Sequence, residues 1–513
     1  MTSRELPTSP RSTALSGFRA AVVGGGVAGL ATALALARRG AEVQVFEKDP
    51  PPPATSPGRA FGSWRRAGAP QVRHSHIFLG RLRVLLRDRY PDVLQALLAA
   101  GAREMRPLDR PPPLLRNMRP EPGDEDLVAL GCRRVTFEWI LRELVSREPG
   151  VRIEGSQEVL GLIATPTEPP VVSGLRVRKA KGPAERVRAH VVIDASGRRS
   201  SVPRWLGELG ARPIVQREEA SGIVYYTRFY RLRRAGQEPS AGHDPWVGDY
   251  DWVKYAIFPA EDGVFSITLA VPLAEPRLKV LARAPAFDAM VRAIPGLRDW
   301  IDPDIATPLG EGPREVEAMG ALINRRRSLV DHYGPVVQRL FLVGDAAWCT
   351  NPLYGRGCTQ AFLQADLLAQ IMEQSVGDWP GAVAEYERQS RALLEPYYRA
   401  SVLADRDAVR RAEGRPPRNL REQVQERFLR EGVGVAMRVD PVVFRAFLRM
   451  INMFEPPEEA FLKPEVVTRT LWVMAQGEAL RRRYGWSMPP DCDETIERCV
   501  AAVTAARHRA RAT

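Results

Sequence analysis

The stretch RAAVVGGGVAGLATALALARRGAEVQVFE, residues 19–47, decides the fold. Its first five residues predict a short buried strand, and residues 27–39 predict a helix rich in alanine and leucine. Residues 41–47 then predict a second strand. A strand, a helix and a strand in this order open a doubly wound, Rossmann-type α/β sheet.

Three glycines shape the turn between the first strand and the helix. Gly24 permits the tight turn, Gly26 lets the backbone approach a pyrophosphate, and Gly29 lets the helix lie close to the strand. The helix N-terminus adds free N–H groups and the positive end of a dipole. Glu47, which ends the second strand, suits the two hydroxyls of an unphosphorylated adenosine ribose. The stretch therefore predicts a dinucleotide-binding site.

Two later motifs favour FAD over NAD as the dinucleotide. VVIDASG places Asp194 and Gly197 at the end of a buried strand, and FLVGDAAWCTNPLYGRGCTQAF places Gly344 and Asp345 at the end of another. Asp345 could bond a ribityl hydroxyl. The second motif continues into a helix whose positive N-terminal end would stabilise negative charge on a reduced flavin ring. The further cofactor-binding candidates in its glycine-rich turn are Pro352, Gly355 and Gly357.

The remaining patterns predict a second domain and a helical C-terminal region. Residues 221–273 contain β-rich runs typical of an antiparallel sheet, and the chain is mainly helical after residue 379. We therefore expect a glutathione-reductase-like FAD domain interleaved with an antiparallel-sheet substrate domain. The expected divisions are a disordered tail at 1–17, the FAD domain at 18–80, 130–215 and 330–397, the substrate domain at 81–129 and 216–329, and the helical region at 398–513.

The order GxGxxG, DASG and GD…PxxG resembles the p-hydroxybenzoate hydroxylase-type superfamily, the group A flavoprotein monooxygenases, over residues 19–397. The segment APQVRHSHIFLGRLRVLL is similar to a subgroup that includes polyether-type epoxidases and bacterial FAD oxidoreductases. In this family an arginine on a helix contacts the FAD pyrophosphate, and Arg134 is the best match, with Arg133 as its competitor. Two departures, Trp348 where the family often has histidine and DASG in place of GADG, count against a simple phenol as the substrate.

The resemblance implies a monooxygenase in which NAD(P)H reduces the bound FAD and O2 then reacts with it. Because no second dinucleotide motif is visible, the nicotinamide donor is expected as a co-substrate without a domain of its own. The resemblance also places Arg73, His74 and His76 in a loop beside the flavin. We favour Arg73 and His76 as catalytic candidates, with purely structural contacts as the alternative. The expected reaction is hydroxylation or epoxidation of a hydrophobic small molecule of secondary metabolism.

The segment DYDWVKYAIFPAEDGVFSITLAV predicts the roof of the substrate pocket, with Trp252, Tyr255 and Phe258 as lining candidates. Lys254 could serve as the lysine of a flavin halogenase, although the WxWxIP run of that family does not occur in the sequence. YAIFP resembles in part the YxWxFP run of geranylgeranyl reductases, with Ile257 in place of tryptophan. An isoprenoid double-bond reductase is therefore a second alternative, and a non-catalytic prenyl-binding escort is a third.

The bulk composition argues against several other classes. The net charge is +13, but acidic residues are interleaved and no nucleic-acid-binding motif occurs. Five cysteines at irregular spacing and only six histidines argue against a disulfide framework and a metal site, and they suit the cytoplasm. Glycines interrupt the apolar run at 20–37, so no transmembrane segment is expected. We expect the C-terminal amphipathic helices to cap the pocket or to pack on the FAD domain, with peripheral membrane contact as the alternative.

Overall fold

The computed structural model describes residues 11–52, 56–180, 182–234, 236–239, 246–310, 315–375, 377–484 and 490–512. The strands are β1 (Arg19–Val23), β2 (Glu42–Glu47), β3 (Arg103–Met105), β4 (Ala129–Gly131), β5 (Val151–Gly155), β6 (Gln157–Ala164), β7 (Val172–Lys179), β8 (Ala184–Arg188), β9 (Val191–Asp194), β10 (Val215–Ala220), β11 (Ile223–Leu232), β12 (Val247–Asp249), β13 (Lys254–Pro259), β14 (Val264–Pro272), β15 (Ala306–Pro308), β16 (Glu317–Met319), β17 (Ile323–Ser328), β18 (Val330–Asp331), β19 (Gly334–Pro335), β20 (Leu340–Leu342) and β21 (Trp348–Cys349). The α-helices are α1 (Val27–Ala37), α2 (Pro57–Ser63), α3 (Gly80–Arg89), α4 (Pro91–Ala99), α5 (Arg134–Arg147), α6 (Val202–Glu208), α7 (Ala284–Ala293), α8 (Gly357–Gln374), α9 (Trp379–Ala412), α10 (Leu420–Arg427), α11 (Gly434–Ala436), α12 (Pro441–Ile451), α13 (Pro457–Leu462), α14 (Pro464–Ala475), α15 (Glu478–Tyr484) and α16 (Cys492–Ala512).

Five parallel strands form the sheet that the opening stretch predicts, in the order β20–β9–β1–β2–β5. β1 lies at the centre, and residues 20–23 are buried because they are apolar and covered on both faces. α1 is buried at nearly every position, since it lies against this sheet and contacts α5 and α8. The predicted mixed α/β, Rossmann-type fold is confirmed.

A second sheet is antiparallel, in the order β12–β13–β14–β11–β15, with β16 also paired to β11. All nine residues of the central strand β14 are buried, because both faces of the sheet are covered. Side chains such as Ile267 and Leu269 lie in a core with α7 and α16. The opposite face carries Thr227, Ser266 and Thr268 towards the loop of residues 74–76. We call this the inner face.

Four smaller sheets complete the β-structure of the described residues, in the orders β10–β17–β21, β6–β7–β8, β3–β4 and β18–β19. Helices dominate the chain beyond β21, as the sequence predicts. Near the middle of this region lies a π-helical segment, Phe428–Val433.

The helices α3 and α4 differ from the expected division of the chain. The predicted substrate domain includes residues 81–129, but Leu82, Leu86, Val93 and Leu97 are fully buried in the same core as α1. The apolar side of this helix pair packs on α5 and α8. The pair is therefore part of the parallel-sheet domain, and the predicted boundary at residue 81 is wrong.

The prediction of a disordered tail is wrong for residues 11–17, while residues 1–10 lie outside the described chain. Leu15 is only 1% exposed and its backbone N–H donates to the carbonyl of Arg39 at 2.8 Å. The Ser12 hydroxyl donates to Glu373 of α8 at 2.7 Å. These contacts hold the segment against the end of α1, because the apolar side chain of Leu15 completes the sheet core.

The C-terminal region is continuous with the domains that precede it. α9 runs for 34 residues and crosses the expected boundary at residue 398. At the other end, Ile496 and Cys499 of α16 are buried against α7 in the core of the antiparallel sheet. No helix in the described part of the chain combines the length and the apolar character that a membrane crossing requires.

Candidate active site

The three glycines after β1 have the roles that their spacing predicts. Gly24 has φ +100°, and a Cβ there would lie 2.7 Å from the carbonyl oxygen of Ala195. A Cβ on Gly29 would lie 1.8 Å from the carbonyl oxygen of Gly24, so only glycine lets α1 approach the strand this closely. A Cβ on Gly26, by contrast, would meet nothing within 4 Å. The start of α1 therefore has open space where a pyrophosphate would approach.

Glu47 is buried at the end of β2, next to this turn. Its Oε2 accepts from the backbone N–H of Gly25 at 2.8 Å and from the Arg66 guanidinium at 2.9 Å. Its Oε1 accepts from the backbone N–H of Asp49 at 2.9 Å. A carboxylate oxygen accepts two hydrogen bonds, so Oε1 keeps a free lone pair for a ribose hydroxyl.

Two arginines beside Glu47 are not among the residues predicted from the sequence. Arg66 is buried among Glu47, Asp49 and Glu138, and it hydrogen-bonds all three carboxylates. Burial lowers the pKa of Arg142, and the neighbouring Arg66 lowers it further. The Arg142 guanidinium lies 3.3 Å from the Cβ position of Gly25, so it faces the glycine turn.

A sequence signal for Arg142 does exist. Arg134, Glu138 and Arg142 recur at intervals of four along α5, a spacing that aligns side chains on one helix face. Arg66 has no comparable signal, because it lies in a loop whose path depends on the tertiary fold.

Arg134 faces the predicted cofactor site, and its competitor Arg133 does not. The Arg134 Nε donates to Glu138 at 3.2 Å, and one of its terminal nitrogens lies 2.9 Å from the Cys358 sulfur at the start of α8. Arg133 instead donates to Glu261, with its Nε 2.6 Å from the carboxylate, which ties it to the antiparallel-sheet domain. Arg134 is therefore the arginine that could contact a pyrophosphate between α1 and α8.

Asp194 shapes a loop rather than presenting a free carboxylate. Its Oδ1 accepts from the backbone N–H of Ser196 at 3.0 Å and from the Ser196 hydroxyl, and its Oδ2 accepts from Ser200. Burial raises the pKa of Asp194, against these hydrogen bonds. Gly197 follows with φ +81°, and the loop packs directly on Gly24. The loop thus supports the glycine turn. The Asp194 carboxylate is occupied by hydrogen bonds within the loop and is not placed to contact the cofactor directly.

The GD…PxxG motif lies beside the GxGxxG motif in the structure. Gly344 has φ +65°, and its Cβ position is 2.7 Å from the Cβ of Ala28 in α1. Its backbone N–H donates to Gln364 at 2.8 Å. Asp345 follows, half-buried, with its Oδ1 3.9 Å from the Cβ position of Gly357. Asp345 and the start of α8 therefore border the same space as the start of α1.

The start of α8 offers unused hydrogen-bonding groups. Pro352 and Gly357 are exposed, and Gly355 has φ +65° in contact with Ile77. Thr359 and Gln360 are at most 1% exposed, and their side-chain polar atoms have no partner within the described residues. Buried polar groups are rarely left unsatisfied. Together with the open space at the start of α1, this arrangement fits a bound FAD.

His76 is a neutral residue that orients Arg134. Its Nδ1 donates to the carbonyl oxygen of His74 at 3.0 Å, so its Nε2 has a lone pair, which faces the Arg134 guanidinium at 3.4 Å. Burial, followed by the charge of Arg134, lowers the pKa of His76 to about 3. With both ring nitrogens engaged, His76 is poorly placed to be the catalytic residue that the sequence predicts. Arg73 lies at the edge of the loop, 3.4 Å from the carbonyl oxygen of Gly62.

His74 reaches the inner face through a chain of hydroxyl groups. Thr268 donates to Ser75 at 2.7 Å, and Ser75 donates to Ser266 at 2.7 Å. Each hydroxyl has one proton, so Thr227 must donate to Thr268 at 2.8 Å, and the Nδ1–H of His74 must donate to Thr227 at 3.2 Å. The chain therefore has one direction, and it leaves the Nε2 of His74 with a free lone pair.

The charge state of His74 agrees with this tautomer. Burial lowers its pKa to about 4, and the nearby Arg198 contributes to the shift. His74 is thus neutral near pH 7. Of the three loop residues, it is the one with a ring nitrogen free to take a proton.

Only one of the three pocket candidates lies on the inner face. Phe258 is half-buried and pairs in register with Ser266. Tyr255 points to the other face, where it is buried in the core with α7, so it is not a pocket residue. The Trp252 indole N–H donates to the carbonyl oxygen of Pro490 at 3.2 Å, which fastens it to the C-terminal region. Strand alternation explains the difference between Tyr255 and Phe258.

Comparisons with known proteins agree with the fold and the cofactor. A family model described as DAO, FAD dependent oxidoreductase, matches residues 19–117. Protein Rv3254 of Mycobacterium tuberculosis (strain ATCC 25618 / H37Rv) is 26% identical over 479 residues, 85% of this chain and 90% of that protein. The structure of the flavin-dependent brominase Bmp2 has a TM-score of 0.59 at 16% identity, over 90% of this chain and 100% of that chain. The structure of p-nitrophenol 4-monooxygenase PnpA from Pseudomonas putida DLL-E4 has a TM-score of 0.57 at 16% identity, over 86% and 99%.

Proposed function

We propose that this chain, an FAD-dependent oxidoreductase, is a monooxygenase that inserts oxygen into a hydrophobic small molecule with NAD(P)H as electron donor. The observation that carries the proposal is the directed hydroxyl chain from His74 to Ser266, which joins the loop of residues 74–76 to the inner face. Hydroxylation or epoxidation converts substrate, O2, NAD(P)H and one proton into oxygenated product, water and NAD(P)+. Such a reaction needs a route for a proton into a dry site.

Five parts of the chain would hold the cofactor. The start of α1 at Gly26 and the Arg134 guanidinium suit the pyrophosphate, Glu47 suits the adenosine ribose, and Asp345 suits the ribityl chain. The exposed start of α8 at Gly357 suits the ring. Bound FAD supplies electron transfer from NAD(P)H to O2, while the protein supplies orientation and electrostatic support.

The chain's own residues would manage protons and water. Neutral His74 can accept a proton on Nε2 and release another from Nδ1 into Thr227, so the hydroxyl chain moves protons without moving side chains far. His76 holds Arg134 in place and takes no part in the transfer. Phe258 and Phe229 flank Ser266 in register, and Phe229 stacks edge-on against Phe61 at 5.0 Å. This apolar lining suits a hydrophobic substrate and excludes water.

Lys254 weighs against a halogenase. It lies on the inner face, but its amine is paired with Asp249 at 2.9 Å, and Asp249 also pairs with Arg411 at 3.3 Å. A lysine with a resident carboxylate is poorly placed to hold a reactive halogen species.

Product analysis separates the alternatives. The purified holoprotein is incubated in air with NADH or NADPH, with chloride and bromide in the buffer, and with a panel of apolar alkenes and aromatic polyketides. Mass spectrometry of the products gives the reaction type directly. A gain of one oxygen atom supports the proposal, while a gain of two hydrogens would establish the reductase and a halogenated product the halogenase. A holoprotein whose FAD neither NADH nor NADPH reduces would favour the escort.

A further inference from the structure

A buried polar network lies behind the glycine-rich turn that precedes α8. Asp405 of α9 accepts from the side-chain amides of Asn324 and Asn351, at 2.6 Å to each, with a different carboxylate oxygen for each amide. The Oδ1 of Asn351 accepts from the hydroxyl of Tyr225 and from the backbone N–H of Leu353 at 3.0 Å. The network therefore joins α9, β17, the turn and the inner face of β11.

The hydrogen bonds fix the orientation of both amides. Because Asn351 accepts with its oxygen, its NH2 must face Asp405, and the NH2 of Asn324 faces the same carboxylate. An ionised carboxylate can accept one amide hydrogen bond on each oxygen. Burial raises the pKa of Asp405 to about 6, so the carboxylate is mainly ionised at pH 7. Asp405, Asn324 and Asn351 are each at most 2% exposed, so no water competes for these bonds.

The network fastens one end of the turn, and a second contact fastens the other. The Oδ1 of Asn324 also accepts from the backbone N–H of Asn351 at 2.8 Å. At the far end, the Arg356 guanidinium donates to the carbonyl oxygen of Tyr397 and to the hydroxyl of Ser401, at 3.0 Å to each. Residues 352–355 are thus held against α9 from both sides.

We propose that Asp405 is a positioning residue for the flavin. Through Asn351 and Asn324 it holds the turn that presents the N-terminus of α8 to the ring, and through Tyr225 it ties that turn to the inner face of the substrate sheet. A change in the sheet would then alter the electrostatic surroundings of the flavin. The proposal rests on FAD binding and is independent of the kind of reaction.

Asp405→Asn tests the proposal. An amide has a single accepting oxygen, so its NH2 group would face the NH2 group of Asn324 or of Asn351 without a hydrogen bond. We expect a shift of the visible absorption bands of bound FAD, a shift of its reduction potential, and about tenfold weaker FAD binding. The matched control is Glu387→Gln on the same helix, where Glu387 accepts from the backbone N–H of Leu329 at 3.1 Å, away from the turn. The control should change stability without moving the spectrum or the potential.

The result that would overturn the proposal is a folded Asp405→Asn protein with wild-type FAD affinity, spectrum and potential. Should that variant fail to fold, Tyr225→Phe decides, because it removes one donor to Asn351 and leaves the carboxylate paired. Tyr225→Phe should shift the absorption spectrum and the reduction potential of bound FAD, but by less than we expect for Asp405→Asn. A wild-type spectrum and potential in folded Tyr225→Phe would then overturn the proposal, while retained FAD in either variant leaves the assignment of the cofactor intact.

Discussion

Gly26→Ala separates cofactor binding from folding at the start of α1. Gly26 has φ −81° and ψ −174°, which alanine adopts without strain, and the added methyl would meet no protein atom within 4 Å. Removing backbone freedom from the unfolded chain stabilises by about 0.4–1 kcal/mol. Alanine is a poorer N-cap than glycine by a similar amount, about 0.5–1 kcal/mol. The free energy of unfolding of the apoprotein should therefore change by less than about 0.5 kcal/mol.

The effect of Gly26→Ala on FAD affinity should be much larger than its effect on the free energy of unfolding. The methyl would occupy the space through which backbone N–H groups reach the pyrophosphate. Losing one hydrogen bond to a charged group costs about 1.5–3 kcal/mol, which is about 10- to 150-fold in affinity. Titration of the apoprotein with FAD, followed by quenching of flavin fluorescence, measures the affinity, and urea unfolding measures the stability.

Gly29→Ala is the matched contrast. Its Cβ would lie 1.8 Å from the Gly24 carbonyl oxygen, a backbone atom that cannot move aside, so this variant should lose stability in the absence of any cofactor. Wild-type FAD affinity in Gly26→Ala would refute the assignment of the pyrophosphate site. Strong destabilisation of the Gly26→Ala apoprotein would refute the conclusion that open space surrounds Gly26.

Three further changes test single residues of the site. The folded pKa of His76 is lowered from 6.5 to about 3, so the stability it contributes is present above pH 6.5 and is lost as the pH falls towards 3. Between pH 7 and pH 5 this loss is about 2 kcal/mol, and His76→Gln should remove it from the pH dependence of urea unfolding. Thr268→Val interrupts the hydroxyl chain and should lower kcat with KM and FAD affinity unchanged; an unchanged kcat would exclude the chain as the proton route. Arg142→Met should weaken FAD binding about tenfold, the scale of one charged hydrogen bond, while the apoprotein becomes no less stable, because burial and Arg66 already disfavour that charge. Unchanged FAD affinity would show that Arg142 serves the fold alone.

The glycine turn could be predicted because its constraints are local. Gly24 and Gly29 are needed for backbone conformation and close approach within one βαβ unit, and the spacing of the motif encodes both. The meeting of Asp345 with the start of α1 required a long-range step. It was nevertheless predictable, because parallel strands of one sheet present their carboxyl ends at the same edge.

Other features depend on contacts that a single sequence does not reveal. The alternation along β13 predicts that Tyr255 and Phe258 face opposite sides, but not which side is covered by α7. His74 and His76 are two residues apart, and only the direction of their hydrogen bonds separates the free ring nitrogen from the engaged one. Arg66 reaches Glu47 through a loop whose course is set by packing.

The fate of molecular oxygen tests monooxygenation most directly. The holoprotein is supplied with NAD(P)H, the substrate found by product analysis, and O2 enriched in heavy oxygen, with a parallel reaction in heavy-oxygen water and ordinary O2. Monooxygenation predicts one labelled oxygen atom in the product from O2 and none from water. A product that carries no label from O2, although NAD(P)H has been consumed, would contradict it.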